Sequence, residues 1–96
     1  MKIDFYKNEG NLTVSLDGRL DTTTSPELEA FLKENAADIS SLTLNCENLA
    51  YVSSAGLRVL LGAQKKMKDS MKLINVQELV QEVFDVTGFA DILVIE

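Results

Sequence analysis

The sequence predicts an α/β fold: a single mixed β-sheet of about five strands, the first antiparallel, with about three main helices. Three observations carry that expectation. Segments with period-two apolar alternation give way along the chain to segments with helical apolar spacing, in the order β-β-α-β-α-β-α-β. Strands that alternate with helices build a largely parallel sheet through right-handed crossovers. A turn-rich tetrapeptide, Asn8-Glu9-Gly10-Asn11, joins the first two strands, so the antiparallel pair belongs at the start.

Each element has its own signal. Lys2 to Tyr6 alternates, with Ile3 and Phe5 on one face, and Leu12, Val14 and Leu16 alternate with Thr13 and Ser15. Gly18 to Thr24 reads as a loop. Ser25-Pro26-Glu27-Leu28 then opens a helix, because Ser25 can accept a bond from a free backbone N–H and Pro26 loses nothing at the first helical position. Thr24 with Glu27 is an alternative capping box one residue earlier. Leu28, Phe31, Leu32 and Ala36 mark the apolar face of that helix. Leu42, Leu44 and Cys46 give a third strand. Ser53 and Ser54 precede a second helix with Leu57, Leu60 and Leu61 at helical spacing. Met71 to Val76 is a fourth strand, and Leu79, Val80, Val83 and Phe84 mark a third helix. Gly88 stands just past its end, where a left-handed residue is needed. Ile92 to Ile95 is a last short strand.

Composition bounds the function. The 96 residues suit one domain spanning 1–96, with no linker, repeat or low-complexity segment. With 15 acidic and nine basic side chains the formal net charge is −6, which opposes nucleic-acid binding. The Lys65, Lys66 and Lys68 cluster falls late in a helix, where cations favour the negative end. There is no histidine, which removes the usual general base and any His-based triad or metal site. The single cysteine, Cys46, fits a reducing cytosol and cannot build a thiolate metal cage. No phosphate loop or nucleophile elbow is present. The reading is a non-enzyme without cofactor or metal, cytoplasmic, with no signal segment and no membrane insertion. The apolar faces are short and each is used once, so a monomer is expected.

The informative stretch runs from Asn48 to Leu61, and Tyr51-Val52-Ser53-Ser54-Ala55-Gly56-Leu57-Arg58 is its centre. Either Ser53 or Ser54 can cap the helix that follows. The stretch resembles the signature of STAS domains in bacterial anti-sigma factor antagonists: a hydrophobic pair, Asp-Ser-Ser/Thr-Gly-Leu-Gly, then an apolar helix. Tyr51-Val52 matches the pair, Ser54 falls on the family's phosphorylated serine, and Gly56-Leu57 match outright. Ser53 replaces the Asp, Ala55 the second Ser or Thr, and Arg58 the last Gly. Gly18-Arg19-Leu20-Asp21 with Ser25-Pro26-Glu27-Leu28 is similar to the family's Gly-Glu-Leu-Asp and Thr-x-Pro-x-Leu elements. Val83 to Phe89 is similar to its Leu-Phe-x-x-Thr-Gly-Leu ending.

That resemblance implies the STAS fold and a partner-switching role. Unphosphorylated, the chain would bind an anti-sigma factor that is also a serine kinase. Phosphorylation of Ser54 would release it, and a PP2C-type phosphatase would reset it. Parallel sheets place binding sites beyond their strand C-terminal ends, which puts the loop from Asp21 and the Ser53–Arg58 segment on one surface. The partner-binding residues expected there are Asp21, Ser53, Ser54, Ala55, Gly56 and Arg58. Asp21 reads equally well as a turn residue. Two alternatives stand beside this reading. One is an unswitched STAS docking subunit of a larger assembly, such as a lipid-transport ATPase complex, with Ser54 only a cap. The other is a nucleotide-binding STAS domain, against which the missing phosphate loop counts.

Overall fold

In the computed structural model, which describes residues 1–96, the opening hairpin is made by β1 (Lys2–Asn8) and β2 (Asn11–Leu20), antiparallel as expected. Its two turn residues, Glu9 and Gly10, both have positive φ, 52° and 90°, the conformation that matches the twist of a tight hairpin. Then follow α1 (Ser25–Asn35), β3 (Ser41–Val52), α2 (Ser54–Met67), β4 (Met71–Ile74) after a short 3₁₀ turn, and α3 (Glu78–Thr87). The sheet order is β1-β2-β3-β4, with β2, β3 and β4 mutually parallel. This is the mixed sheet with three helices that the sequence predicts.

One cluster of 19 buried apolar residues joins all three helices to the same sheet face, so the core is single. Leu12, Val14 and Leu16 on β2 and Leu42, Leu44 and Cys46 on β3 point into it, as their alternation predicts. Thr13, Ser15, Thr43 and Asn45 point the other way and stay half-exposed. Phe84 of α3 is fully buried with Val80 beside it. Gly88 ends that helix at φ +81°, in the left-handed region that its position requires. No helix is long and apolar enough to cross a membrane.

Several boundaries differ from the sequence reading. The last strand shrinks to a single parallel bridge, Leu73 with Ile95, because a 3₁₀ turn over Phe89–Asp91 and a helical Ile92 consume the residues before it. The loop read over Gly18 to Thr24 begins only at Asp21: β2 continues to Leu20, and β3 continues past Cys46 to Val52. Two register shifts explain both errors. Between Ser15 and Asp17, and again between Gly18 and Arg19, β3 inserts one extra residue, so its inward side chains run Leu42, Leu44, Cys46, Leu49, Val52. β4 ends at Ile74, two residues early, because Asn75 turns the chain at φ +57°. Leu79 does not join the buried face of α3; it is 55% exposed, as is Val86 at 84%. Leu79 sits one helical step, about 100°, from Val80, and only the side chain of Val80 meets the sheet.

The end of α2 carries a strained residue. Lys68, the C-cap, sits at φ +54°, ψ −121°, a conformation that suits glycine. The Gln64 side-chain amide donates to the Lys68 carbonyl and helps hold it there. Lys68→Gly keeps that carbonyl and removes the strained side chain. It should stabilise the protein by about 1 kcal/mol, read as a higher urea midpoint with unchanged slope. A lower midpoint would show that Lys68 is unstrained.

Candidate functional site

The candidate site lies where β2 and β3 end side by side. Leu20 pairs with Val52, and the Ser53 amide donates to the Leu20 carbonyl at 2.8 Å. The chain therefore leaves both strands at one edge, with Asp21 following one and Ser53 the other. The expected juxtaposition of the Asp21 loop with the Ser53–Arg58 segment is what the register produces.

Ser53, not Ser54, caps α2. Its extended backbone (φ −98°, ψ 178°) aims Oγ back at the helix, where it accepts from the Gly56 amide at 3.3 Å. The Ser53 carbonyl accepts from the Leu57 amide at 2.9 Å. Serine caps about as well as aspartate, so the replacement of Asp at this position costs the helix little. Ser54 is the first helical residue and is exposed; Ala55 is half-buried and Arg58 exposed. Gly56 is buried against the sheet. A Cβ there would lie 2.8 Å from Leu20 Cγ and 2.8 Å from Val52 Cγ2, so glycine lets the helix N-terminus approach this closely.

The Asp21 segment is built differently from the sequence expectation. Neither Ser25 nor a Thr24–Glu27 box caps α1. Ser25 is itself helical and buried, its hydroxyl without a partner, and Thr24 makes no side-chain cap bond. Asp21 organises the entry instead: its Oδ1 accepts from the Thr23 amide at 3.0 Å and the Thr24 amide at 3.1 Å. Thr24 Oγ1 accepts from the Asp21 amide at 2.9 Å and donates to the Arg19 carbonyl at 2.6 Å. These bonds, led by the Thr24 amide and helped by the Arg19 charge, hold the Asp21 carboxyl below the usual carboxylate range. A carboxyl lowered on folding adds stability that is complete above the ordinary aspartate range and lost as pH falls through its folded value. Asp21 is thus a turn-building residue that also keeps a negative charge at the site.

The sequence reading missed a cation at this edge. Arg19 stacks over the Tyr51 ring, 4.3 Å from its centroid. The two residues pair across β2 and β3, each one position before the last residue of its strand. No local signal in the sequence marks the pair, because its register follows from both bulges of β3. Arg19 also stands where the resembling family has Glu, so with Arg58 this rim holds two positive charges against the one on Asp21. Burial pushes the Cys46 thiol up to about 12.

The two serines should separate in mutagenesis. Ser53→Ala should cost about 1 kcal/mol of stability, as loss of a helix cap does. Ser54→Ala should change stability by less than about 0.5 kcal/mol, as exposed substitutions do. Paired denaturant titrations check this, and a larger loss for Ser54→Ala would reassign the cap.

Comparison with known proteins follows the same lines. The STAS domain family matches residues 2–96. An anti-sigma-B factor antagonist of Bacillus subtilis (strain 168) is 32% identical over 96 residues, covering 97% of this chain and 88% of the relative. The unphosphorylated form of the anti-sigma factor antagonist SpoIIAA shares the fold at TM-score 0.81 and 18% identity, covering 99% of this chain and 88% of that one. The phosphorylated form of SpoIIAA, a Bacillus cell fate determinant, does so at TM-score 0.74 and 17% identity, covering 99% and 91%.

Proposed function

This chain belongs to the STAS domain family, and from that premise we propose that it is an anti-sigma factor antagonist switched by phosphorylation of Ser54. Unmodified, it binds an anti-sigma factor that is also a serine kinase, in the cytoplasm, through the surface made by Asp21, Ser53, Ser54, Ala55, Gly56 and Arg58. The kinase transfers the γ-phosphoryl group of ATP to Ser54 Oγ, ADP leaves, and binding is lost. A PP2C-type phosphatase removes the phosphate. The chain supplies no catalysis of its own.

One observation carries this reading. Ser53 holds the cap, so Ser54 presents an exposed hydroxyl at the first position of α2. A phosphate there brings about −1.5 to −2 charges without displacing the cap bond. The free N–H groups and positive end of the helix favour it, and Arg58, at i+4, is in reach of a charge-assisted bond. Phosphorylation therefore leaves the fold standing and changes the surface from hydroxylic to anionic. A partner that buries this surface then meets a charge it has no group to pair. SpoIIAA adopts its fold in both unphosphorylated and phosphorylated forms, which supports a surface effect over an unfolding one.

The test is capture of the chain by its kinase partner with and without ATP. The switching reading expects retention without ATP and release with it. Retention under both conditions would favour a permanent docking subunit.

A further inference from the structure

The face of the sheet that carries no helix holds Arg19. All three helices pack on the other face, and Leu20 and Val52 turn their buried side chains toward them. Alternation therefore turns Arg19 and Tyr51 outward, beside each other on the uncovered face. Two neighbours fix Arg19 there. Its carbonyl accepts from Thr24 Oγ1 of the Asp21 turn, and its guanidinium lies 4.3 Å from the centre of the Tyr51 ring. Asp21 follows Arg19 in one chain segment and Ser53 follows Tyr51 in the other, so the Ser54 surface continues over the strand ends onto this face.

The guanidinium is held but not paired. Arg19 is exposed and belongs to none of the ion pairs of the chain, which are Lys2–Asp4, Lys7–Asp38 and Lys72–Glu96. Two carboxylates stand near it in the chain. Asp21 feels the Arg19 charge, but its Oδ1 is taken by the Thr23 and Thr24 amides and the Thr24 hydroxyl. Asp17, the preceding outward residue of β2, is exposed and makes no ion pair with Arg19. The formal net charge of the chain is −6, yet at this rim a cation stays open to a group from outside.

The ring and the guanidinium together select that group. A guanidinium over an aromatic ring is held through its charge, and its planar fork of N–H donors stays available. Such a fork matches the two oxygens of a carboxylate. A side chain already held in place also loses less freedom on pairing than a free one. Under the function proposed above the occupant is a protein, so the carboxylate belongs to an aspartate or glutamate. Resting on that function, we propose that the partner surface extends to Arg19 and that Arg19, on its Tyr51 platform, pairs with an acidic side chain of the anti-sigma partner. This contact also strengthens the switch. A partner that is acidic at this rim meets like charge when Ser54 carries phosphate.

Calorimetry of the unphosphorylated chain with its kinase partner, without ATP and at low and high salt, tests this. Arg19→Glu should bind at least tenfold more weakly than the unmodified chain. Arg19→Lys, which keeps the charge, should lose less affinity than Arg19→Gln. The affinity of the unmodified chain should fall as salt rises, and Arg19→Gln should flatten that dependence, which a purely structural role of Arg19 would not do. Thermal melts of the same variants should stay within a few degrees of the unmodified chain. Unchanged or tighter binding by Arg19→Glu, or the same salt dependence with and without Arg19, would overturn the contact and leave the Ser54 switch standing. Retention in the presence of ATP, with Arg19→Glu still weak, would overturn the switch and support the contact. No binding by the unmodified chain would overturn both.

Discussion

Ser54→Asp should bind the anti-sigma partner at least tenfold more weakly than the unmodified chain, and the phosphorylated chain at least a hundredfold more weakly. A hundredfold is about 2.7 kcal/mol, within what one unpaired charge at a buried interface costs. The mutant adds one charge where phosphate adds nearly two, which sets the order of the two effects. Stability should not follow affinity. Ser54 is exposed in the first turn of α2, where a negative side chain is favoured by the helix dipole, so the melting temperature should move by a degree or two at most. Calorimetry of binding alongside thermal melts separates the two quantities. Equal affinity for all three forms would contradict a switch at this position, and a melting loss that tracks the binding loss would place the effect in folding.

The second large effect should come from Gly56, and its neighbour Gly62 should move the other way. Gly56→Val should destabilise the protein by about 3 kcal/mol, the upper range for overpacking. Even the first added carbon would lie 2.8 Å from Leu20 Cγ and Val52 Cγ2. Both of those side chains are fully buried and cannot swing into solvent. The remaining way out is to lift the N-terminus of α2 off the sheet, which also displaces Ser54, so partner binding should fall with stability. Gly62→Ala should stabilise by about 0.5–1 kcal/mol, because it meets nothing within 4 Å and removes a helix-interior glycine. For a chain of this size, 3 kcal/mol lowers the melting temperature by roughly 12–24 °C, well resolved by circular dichroism. A neutral or stabilising Gly56→Val would mean that α2 does not press on Leu20 and Val52.

How far the sequence carried these conclusions depended on whether a feature is local. The Asn8–Asn11 turn, the helical spacing of Leu57 and Leu60, and Gly88 past α3 are each written within a few residues, and each stands where it was read. The long β3 was not legible beyond Cys46. Its bulges break period two, and a spacing of Cys46, Leu49, Val52 looks like neither strand nor loop until the partner strand is known. The α1 entry failed for a related reason. Ser25-Pro26 is a good cap signal, yet the Glu27 and Leu28 amides that Ser25 would cap go to the Thr24 carbonyl, and Asp21 fixes the turn before it through the Thr23 and Thr24 amides. At the site, the sequence placed Ser53 and Ser54 at the start of α2 but could not choose the cap, since both are serines and the choice rests on one residue of helix register. Arg19 over Tyr51 was out of reach because the pairing depends on both bulges.

The proposed switch is written on the free hydroxyl of Ser54, beside a cap made by Ser53. The most direct measurement is mass spectrometry of the chain after incubation with its kinase partner and ATP, with fragmentation between the two serines. The account predicts one phosphate per chain, on Ser54, with none taken up by Ser54→Ala and normal uptake by Ser53→Ala. Phosphate on Ser53, or undiminished uptake by Ser54→Ala, would contradict it.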